Sequence, residues 1–178
     1  MSIDYKITKE ENHWTSDEKI KWLGYGEWVE EADAIELEYL GYKAKVIRVM
    51  KREPYCPQEA YFGGHLCGYV VIPATHPFFG QKGKARELDC HGGITFDEPH
   101  EEHWVGFDCG HSGDYIPTLE KMRNKEINEL YPTPEGFEKF ALFNPSYRNT
   151  QYCIEELIGM IDQLQKFSAT TKIEKNDH

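Results

Sequence analysis

The hydrophobic pattern of this 178-residue chain changes its period between the first third and the C-terminal end. Ile35, Leu37 and Tyr39 alternate with acidic residues, which is typical of a strand with one buried face. Near the C-terminus the apolar residues recur at helical spacing on one stripe: Ile154, Leu157, Ile158, Ile161 and Leu164. Strands followed by helices predict an α+β fold, a single antiparallel sheet of hairpins with helices packed on one face.

Local signals place the individual elements. The predicted strands are a hairpin over residues 34–50, a buried strand over 66–72, and a second hairpin with arms 87–96 and 103–109. The predicted helices cover residues 16–23, 118–130 and 134–143, with an amphipathic C-terminal helix from about residue 149. We expect residues 1–167 to form one globular domain and residues 168–178 a polar, frayed tail.

The charge balance limits the partners of the chain. It carries 31 acidic against 20 basic side chains, a net charge of −11. Binding to duplex nucleic acid or to anionic membranes needs clustered lysines and arginines, so neither partner is expected. The polar N-terminus does not resemble a signal peptide, and the five cysteines form no Cys-x-x-Cys pair. These features predict a soluble, cytoplasmic protein with reduced thiols.

The hairpin over 87–109 is the most informative element, because alternation sorts its side chains onto two faces. The parity expected to face the core is apolar: Leu88, Cys90, Ile94, Phe96, Val105, Phe107 and Cys109. The opposite parity gathers His91, Gly93 and Thr95 with Trp104, Gly106 and Asp108. Pairing centred on the polar tip sets His91 opposite Asp108 and Thr95 opposite Trp104.

This second face predicts a polar site that continues into the loop after the hairpin. An imidazole beside a carboxylate supports acid–base chemistry, and a tryptophan beside a glycine offers a surface for a ring. Consecutive glycines leave backbone N–H groups free to bind an anion. The predicted ligand-binding residues are His91, Gly92, Gly93, Thr95, Trp104, Asp108, His111 and Asp114.

Some of these residues have more than one predicted role. The catalytic candidates are His91, Asp108, His111 and Asp114, and the metal-ligand candidates are Asp108, His111 and Asp114, since nitrogen and oxygen donors suit several divalent ions. No H-E-x-x-H motif fixes a ligand set, and no nucleophile elbow, phosphate-binding loop or dinucleotide fingerprint occurs. Cys109 is expected in the core rather than as a nucleophile. His65 is expected to be an ordinary loop histidine, and the alternative is that it approaches the same site.

Several blocks of the sequence resemble a small uncharacterised family found in phages, prophages and bacteria. They are GEWVEEAD, CGYVVIP, HPFFG, HGGITF, HWVGFDCGHSGD and YRNTQYCIEELIGMIDQL, and they run in order through residues 26–165. Gly110 stands where that family often has alanine. The resemblance implies that the histidines, glycines and carboxylates of the predicted site, with Cys67, Trp104 and Cys109, belong to a shared pattern. Its phage setting implies an accessory role against host defence, by association only.

Three functions follow, and the sequence leaves them open. The first is capture of a small ligand such as a nucleotide-derived signal, with Trp104 stacking a base. The second is hydrolysis, with His91 or His111 as general base and Asp108 orienting it, with or without a metal ion. The third is a module that docks a host protein. The sequence identifies no cofactor and does not decide whether the chain is an enzyme.

Overall fold

The computed structural model describes residues 4–52, 61–130 and 145–176. These residues form one six-stranded antiparallel sheet in the order β1-β2-β3-β4-β6-β5. The strands are β1 (Lys6–Glu11), β2 (Ala34–Tyr39), β3 (Tyr42–Arg52), β4 (Tyr61–Ile72), β5 (Phe96–Pro99) and β6 (His103–Asp108). The α-helices among the described residues are α1 (Ser16–Leu23), α2 (Pro117–Leu130) and α3 (Thr150–Asn176). The predicted α+β class is confirmed.

The β2–β3 hairpin forms where the alternation predicts it. Its register sets Glu36 opposite Lys45 and Glu38 opposite Lys43, so unlike charges face each other on the outer side. The turn residues Leu40 and Gly41 both have positive φ, 48° and 79°, as the tight turns of twisted hairpins require. The alternate residues of both strands are buried in the core.

The helices cover one face of the sheet, as predicted. Gly64 and Gly68 lie four residues apart in β4 and therefore point to the same side. A Cβ at Gly68 would lie 3.2 Å from Leu157 of α3. A Cβ at Gly64 would lie 2.8 Å from Leu23 of α1 and 3.1 Å from Pro117 of α2. The core lies between this face and the helices.

Local caps fix where the helices begin. Thr15 and Glu18 form a capping box at α1, one residue before the predicted start. The Asn149 side chain accepts from the Tyr152 N–H at the start of α3. Helix α3 continues to Asn176 and so enters the segment predicted as a frayed tail. The helix predicted over 134–143 lies outside the described residues. None of the described helices has both the length and the apolarity to cross a bilayer.

The prediction of a second hairpin is wrong over most of its first arm, residues 87–96. Only Phe96–Pro99 is strand, and its register pairs Phe96 with Gly106 and Glu98 with Trp104. Neither the pairing of His91 with Asp108 nor that of Thr95 with Trp104 therefore exists. The cause lies at Gly92 and Gly93, whose φ angles are +65° and +82°. The Gly93 N–H bonds to the Cys90 carbonyl and closes a turn where a strand was predicted.

The apolar residues that were predicted to face the core from this hairpin are only partly buried there. Val105, Phe107 and Cys109 are buried along and just after β6, and Leu88 is buried although it lies outside any strand. Phe96 was predicted in the core, but it is 39% exposed. It packs edge-on against Tyr69 on the face without helices. An irregular segment can bury the same residues as a strand, which is why the parity alone did not identify the backbone conformation.

Candidate functional site

Polar side chains converge on Asp114, in the loop that follows β6. The carboxylate is 3% exposed and receives three hydrogen bonds or ion pairs from separate parts of the chain. His91 Nε2 lies 2.8 Å from Oδ2, and the His111 backbone N–H donates to the same oxygen over 3.0 Å. Arg148 Nε donates to Oδ1 over 3.1 Å. Asp114, and not Asp108, is therefore the carboxylate that contacts the His91 ring.

The His91 ring is fixed in position from both nitrogens. Nδ1 lies 2.9 Å from the Tyr152 hydroxyl of α3, while Nε2 faces Asp114. The His91 backbone N–H also donates to the Glu156 carboxylate over 2.7 Å. A second polar partner that orients an imidazole in this way is the usual surrounding of a metal-binding histidine.

His111 has a side chain with an unused nitrogen. Its Nδ1 is buried and has no hydrogen-bond partner among the described residues, although it lies 3.6 Å from Asp114 Oδ2 and 3.9 Å from Asp108 Oδ1. The ring occupies the space that a side chain at residue 92 would fill, since a Cβ on Gly92 would be 2.1 Å from His111 Cε1. Gly92 thus serves both a left-handed backbone conformation and the close approach of His111.

The charge state of Asp114 follows from these contacts. Burial opposes its ionisation, but the hydrogen bonds from His91, Arg148 and the His111 N–H together hold its pKa below the usual range. The hydrogen bond to Asp114 in turn raises the pKa of Arg148. The site therefore holds an ionised carboxylate beside a guanidinium at neutral pH.

Asp108 and His65 lie on the outer side of the cluster formed by His91, His111 and Asp114. Asp108 Oδ1 accepts from the Gly110 N–H over 2.9 Å, and its neighbour across the ladder is Cys67 of β4. Within the described ranges, no hydrogen-bond partner reaches the buried Nδ1 of His65. Burial lowers the pKa of His65, so this imidazole is neutral at neutral pH. His65 and Asp108 both border the space beside Gly110, since a Cβ there would lie 3.3 Å and 3.0 Å from their ring and carboxylate.

The thiol beside the cluster is not a nucleophile. Cys109 Sγ lies 3.7 Å from Cys153 Sγ, and both residues are fully buried. The hydrogen bond to Cys153 and the burial raise the Cys109 pKa, so the thiolate is not accessible at neutral pH.

Two predicted ligand-binding residues have their contacts elsewhere. Trp104 points to the face without helices, where Lys45 Nζ lies 4.0 Å from its ring centroid. It lines a pocket of about 280 Å³ with Glu36, Lys43 and Glu102. Thr95 is exposed, and its N–H bonds to the Gly106 carbonyl. Among the described residues, neither Trp104 nor Thr95 forms a hydrogen bond, ion pair or ring contact with His91, His111 or Asp114.

Three residues of the site escaped the sequence analysis. Tyr152 and Glu156 bind His91, and Arg148 binds Asp114. Tyr152 and Glu156 are four residues apart on α3, beside the apolar stripe, and polar residues at this spacing share one helix face. That spacing is the signal that could have found them.

The cluster has the composition of a metal centre. One donor atom each from His91, His111 and Asp114 lies within 4.8 Å of the others. Ions bound at 2.0–2.2 Å by nitrogen and oxygen fit donors at this separation after small side-chain movements. Of the predicted metal ligands, His111 and Asp114 belong to this group, whereas Asp108 lies just outside it.

A scan against models of known families, and searches of curated proteins and of solved structures, give no match to this chain. The geometry of the site is therefore the basis for inferring function.

Proposed function

We propose that the chain is a metal-dependent hydrolase whose divalent ion is held by His91, His111 and Asp114. The observation that carries the proposal is the convergence of two imidazoles and a carboxylate within 4.8 Å, one imidazole nitrogen being buried with no hydrogen-bond partner in the described part of the chain. A buried polar atom without a hydrogen bond is costly, and a bound ion at this position would remove that cost.

The donor set supports this chemistry. Two histidines and one carboxylate hold zinc in several hydrolases and leave a coordination position for water. The Asp114 carboxylate is ionised at neutral pH, which is the form that binds a metal. The Tyr152 hydroxyl against His91 Nδ1 leaves Nε2 as the ligand atom.

Hydrolysis at such a centre requires water and no other reactant. The ion lowers the pKa of its bound water to about 7, so hydroxide is available at neutral pH. The hydroxide oxygen bonds to the electrophilic atom of the substrate, and the bond to the leaving group breaks with its electron pair. The leaving group takes up a proton equivalent to the one that the water lost.

Metal binding is tested first. The protein is purified without chelator, stripped of metal with EDTA and dialysed against Co²⁺. We expect it to bind one Co²⁺ ion per chain and to show the visible absorption bands of Co²⁺ in a low-symmetry coordination site. His91→Gln and His111→Gln should each lose this binding, whereas His100→Gln should keep it, because His100 is exposed on the β5–β6 turn. Absence of binding in the wild type, or full binding in both site variants, contradicts the proposal.

Activity is tested next on the same samples. A panel of carboxylic esters, amides and phosphoesters is incubated with stripped and with metal-loaded protein. We expect turnover of at least one class that needs the ion and is lost in His111→Gln. Turnover that is equal with and without the ion, or that persists in His111→Gln, contradicts a metal-dependent mechanism.

Capture of a small ligand is the second candidate, and the pocket at Trp104 supports it. Lys45 and Trp104 offer a cation and a ring there, apart from the His91 cluster. A thermal-shift panel of cyclic dinucleotides and ADP-ribose derivatives tests it. The candidate is supported if a ligand stabilises the wild type and His111→Gln but does not stabilise Trp104→Ala. It is contradicted if no ligand of the panel stabilises the wild type. A counter-defence role and a host-protein partner stay predictions from the resemblance.

A further inference from the structure

Arg148 brings a positive charge to the candidate metal centre of a strongly acidic chain. Its Nε donates to Asp114 Oδ1, while Asp114 Oδ2 faces His91 and the His111 N–H. The Asp114 carboxylate therefore lies between the Arg148 guanidinium and the proposed position of the ion.

The guanidinium keeps donors available for a ligand. Among the described residues, Asp114 is the carboxylate that contacts Arg148, and it uses Nε. The two Nη groups are the remaining donors. The Arg148 Cζ lies 4.9 Å from the Tyr152 ring centroid, which supports the plane of the guanidinium, and the side chain is 31% exposed. A partly exposed guanidinium that is oriented by Asp114 and Tyr152 is suited to bidentate binding of an oxyanion through its Nη groups.

Resting on the function proposed above, we infer that the substrate is a phosphomonoester whose phosphoryl group spans the ion and Arg148. A phosphoryl group has oxygens enough to bind the ion with one and the Nη pair with two others. A carboxylate has two oxygens and cannot do both in this way. The ion and Arg148 would together place positive charge at this site in a chain whose net charge is −11.

The reaction that this arrangement supports is transfer of the phosphoryl group to water. The metal-bound hydroxide forms the new P–O bond, the P–O bond to the leaving alcohol breaks, and the alcohol oxygen takes up a proton. Arg148 and the ion stabilise the negative charge on the non-bridging oxygens as the bonds change.

Inorganic phosphate is the probe that tests this inference. Protein loaded with one Zn²⁺ per chain, verified by metal analysis, is titrated with phosphate and separately with acetate by isothermal calorimetry. We expect phosphate to bind, Arg148→Gln to weaken that binding at least tenfold at full metal occupancy, and Arg148→Lys to fall between them. Arg86→Gln is the control, because Arg86 is an exposed arginine on the turn before Leu88, and we expect it to match the wild type.

The outcomes separate this inference from the proposed function. Phosphate binding that is equal in the wild type and Arg148→Gln, with the ion bound in both, overturns the role of Arg148 and leaves the metal centre standing. Acetate that binds as tightly as phosphate overturns the choice of a phosphoryl group. A wild type that binds no Zn²⁺ overturns both proposals.

Discussion

Two networks of carboxylates and cations lie in this protein, and they differ in how completely they are satisfied. The first surrounds Arg48 of β3, whose guanidinium donates to Asp33, Glu31 and Tyr147 and to the Gly64 carbonyl. Lys19 adds a fourth charge 3.1 Å from Asp33, and Lys19, Arg48 and Asp33 are at most 2% exposed. The second network surrounds Asp114. It is reached by solvent at His111 and Arg148, and the described residues leave two imidazole nitrogens, Nδ1 of His65 and Nδ1 of His111, without hydrogen-bond partners.

The difference indicates what each network does. A closed network in which every donor has an acceptor holds segments together: the Arg48 network joins β3 to α1, to the start of α3 and to the segment before β2. A network that keeps buried atoms unpartnered costs stability, and such costs concentrate at sites where a ligand completes the set. The following experiments test this division.

Removing Arg48 should have the largest effect on folding. Arg48→Met keeps much of the side-chain volume but leaves Glu31 and Asp33 without their main partner. Breaking a buried ion pair from one side costs about 3–5 kcal/mol, and we expect a loss of that size in urea unfolding of the metal-free protein. Zn²⁺ binding per folded chain should not change.

The control for Arg48 is an exposed pair. Lys82 lies 2.9 Å from Glu98, and both side chains are well exposed. Lys82→Met should cost at most about 1 kcal/mol, because water screens such pairs. An Arg48→Met loss no larger than that of Lys82→Met would mean that the buried network does not stabilise the fold.

Asp114→Asn should cost less than Arg48→Met, and its effect should depend on pH. Hydrogen bonds to a charged group contribute about 1.5–3 kcal/mol, so we expect a loss within that range at pH 7 in the metal-free protein. The pKa of Asp114 in the folded state is below its unfolded value. Its contribution is therefore fully present above the unfolded pKa and is lost as the pH falls through the folded pKa. Unfolding measured from pH 7 to pH 3 should show the wild type and Asp114→Asn converging at the acidic end. A gap that stays constant contradicts the ionised state assigned to Asp114.

Gly92→Ala adds a single Cβ beside the His111 ring and so tests the support of the Asp114 network. Gly83→Ala is its matched control. Both glycines have positive φ, +65° and +88°, so both variants lose about 1–2 kcal/mol for a left-handed alanine. Only the Cβ at residue 92 meets another group, the His111 ring, whereas the space at residue 83 is open to 4 Å. Gly92→Ala should therefore weaken Zn²⁺ binding by about 10–100-fold, as loss of support around a metal ligand does. Equal Zn²⁺ affinities in the two variants would mean that His111 is not a ligand or that its position is not set by Gly92.

Gly92 and Gly93 mark the limit of what could be predicted from the sequence. The β2–β3 hairpin and the starts of the helices were predicted because alternation, unlike charges and caps act over a few residues. The alternation over 87–96 was misleading, because Gly92 and Gly93 close a turn and Leu88 packs into the core from an irregular segment. His111 and Asp114 were predicted in the site because they follow the end of β6, whereas His91 was predicted there from a hairpin pairing with Asp108 that the structure does not contain. The contact of His91 with Asp114 rather than Asp108, and the roles of Tyr152 and Arg148, depend on how α3 crosses the sheet, which no local pattern contains.

Trp104→Phe should have the smallest effect, and it tests whether the predicted stacking residue belongs to the Asp114 cluster at all. Its ring meets Lys45 on the outer face, and an exposed cation–π contact is worth about 0.5–1 kcal/mol, part of which phenylalanine retains. We expect a loss of at most about 1 kcal/mol in urea unfolding, with Zn²⁺ and phosphate binding equal to those of the wild type. Lys45→Met should give a loss of similar size, since it removes the same contact from the other side. If Trp104→Phe instead weakened phosphate binding, the two faces of the sheet would be coupled, and the assignment of chemistry to the Asp114 cluster alone would be wrong.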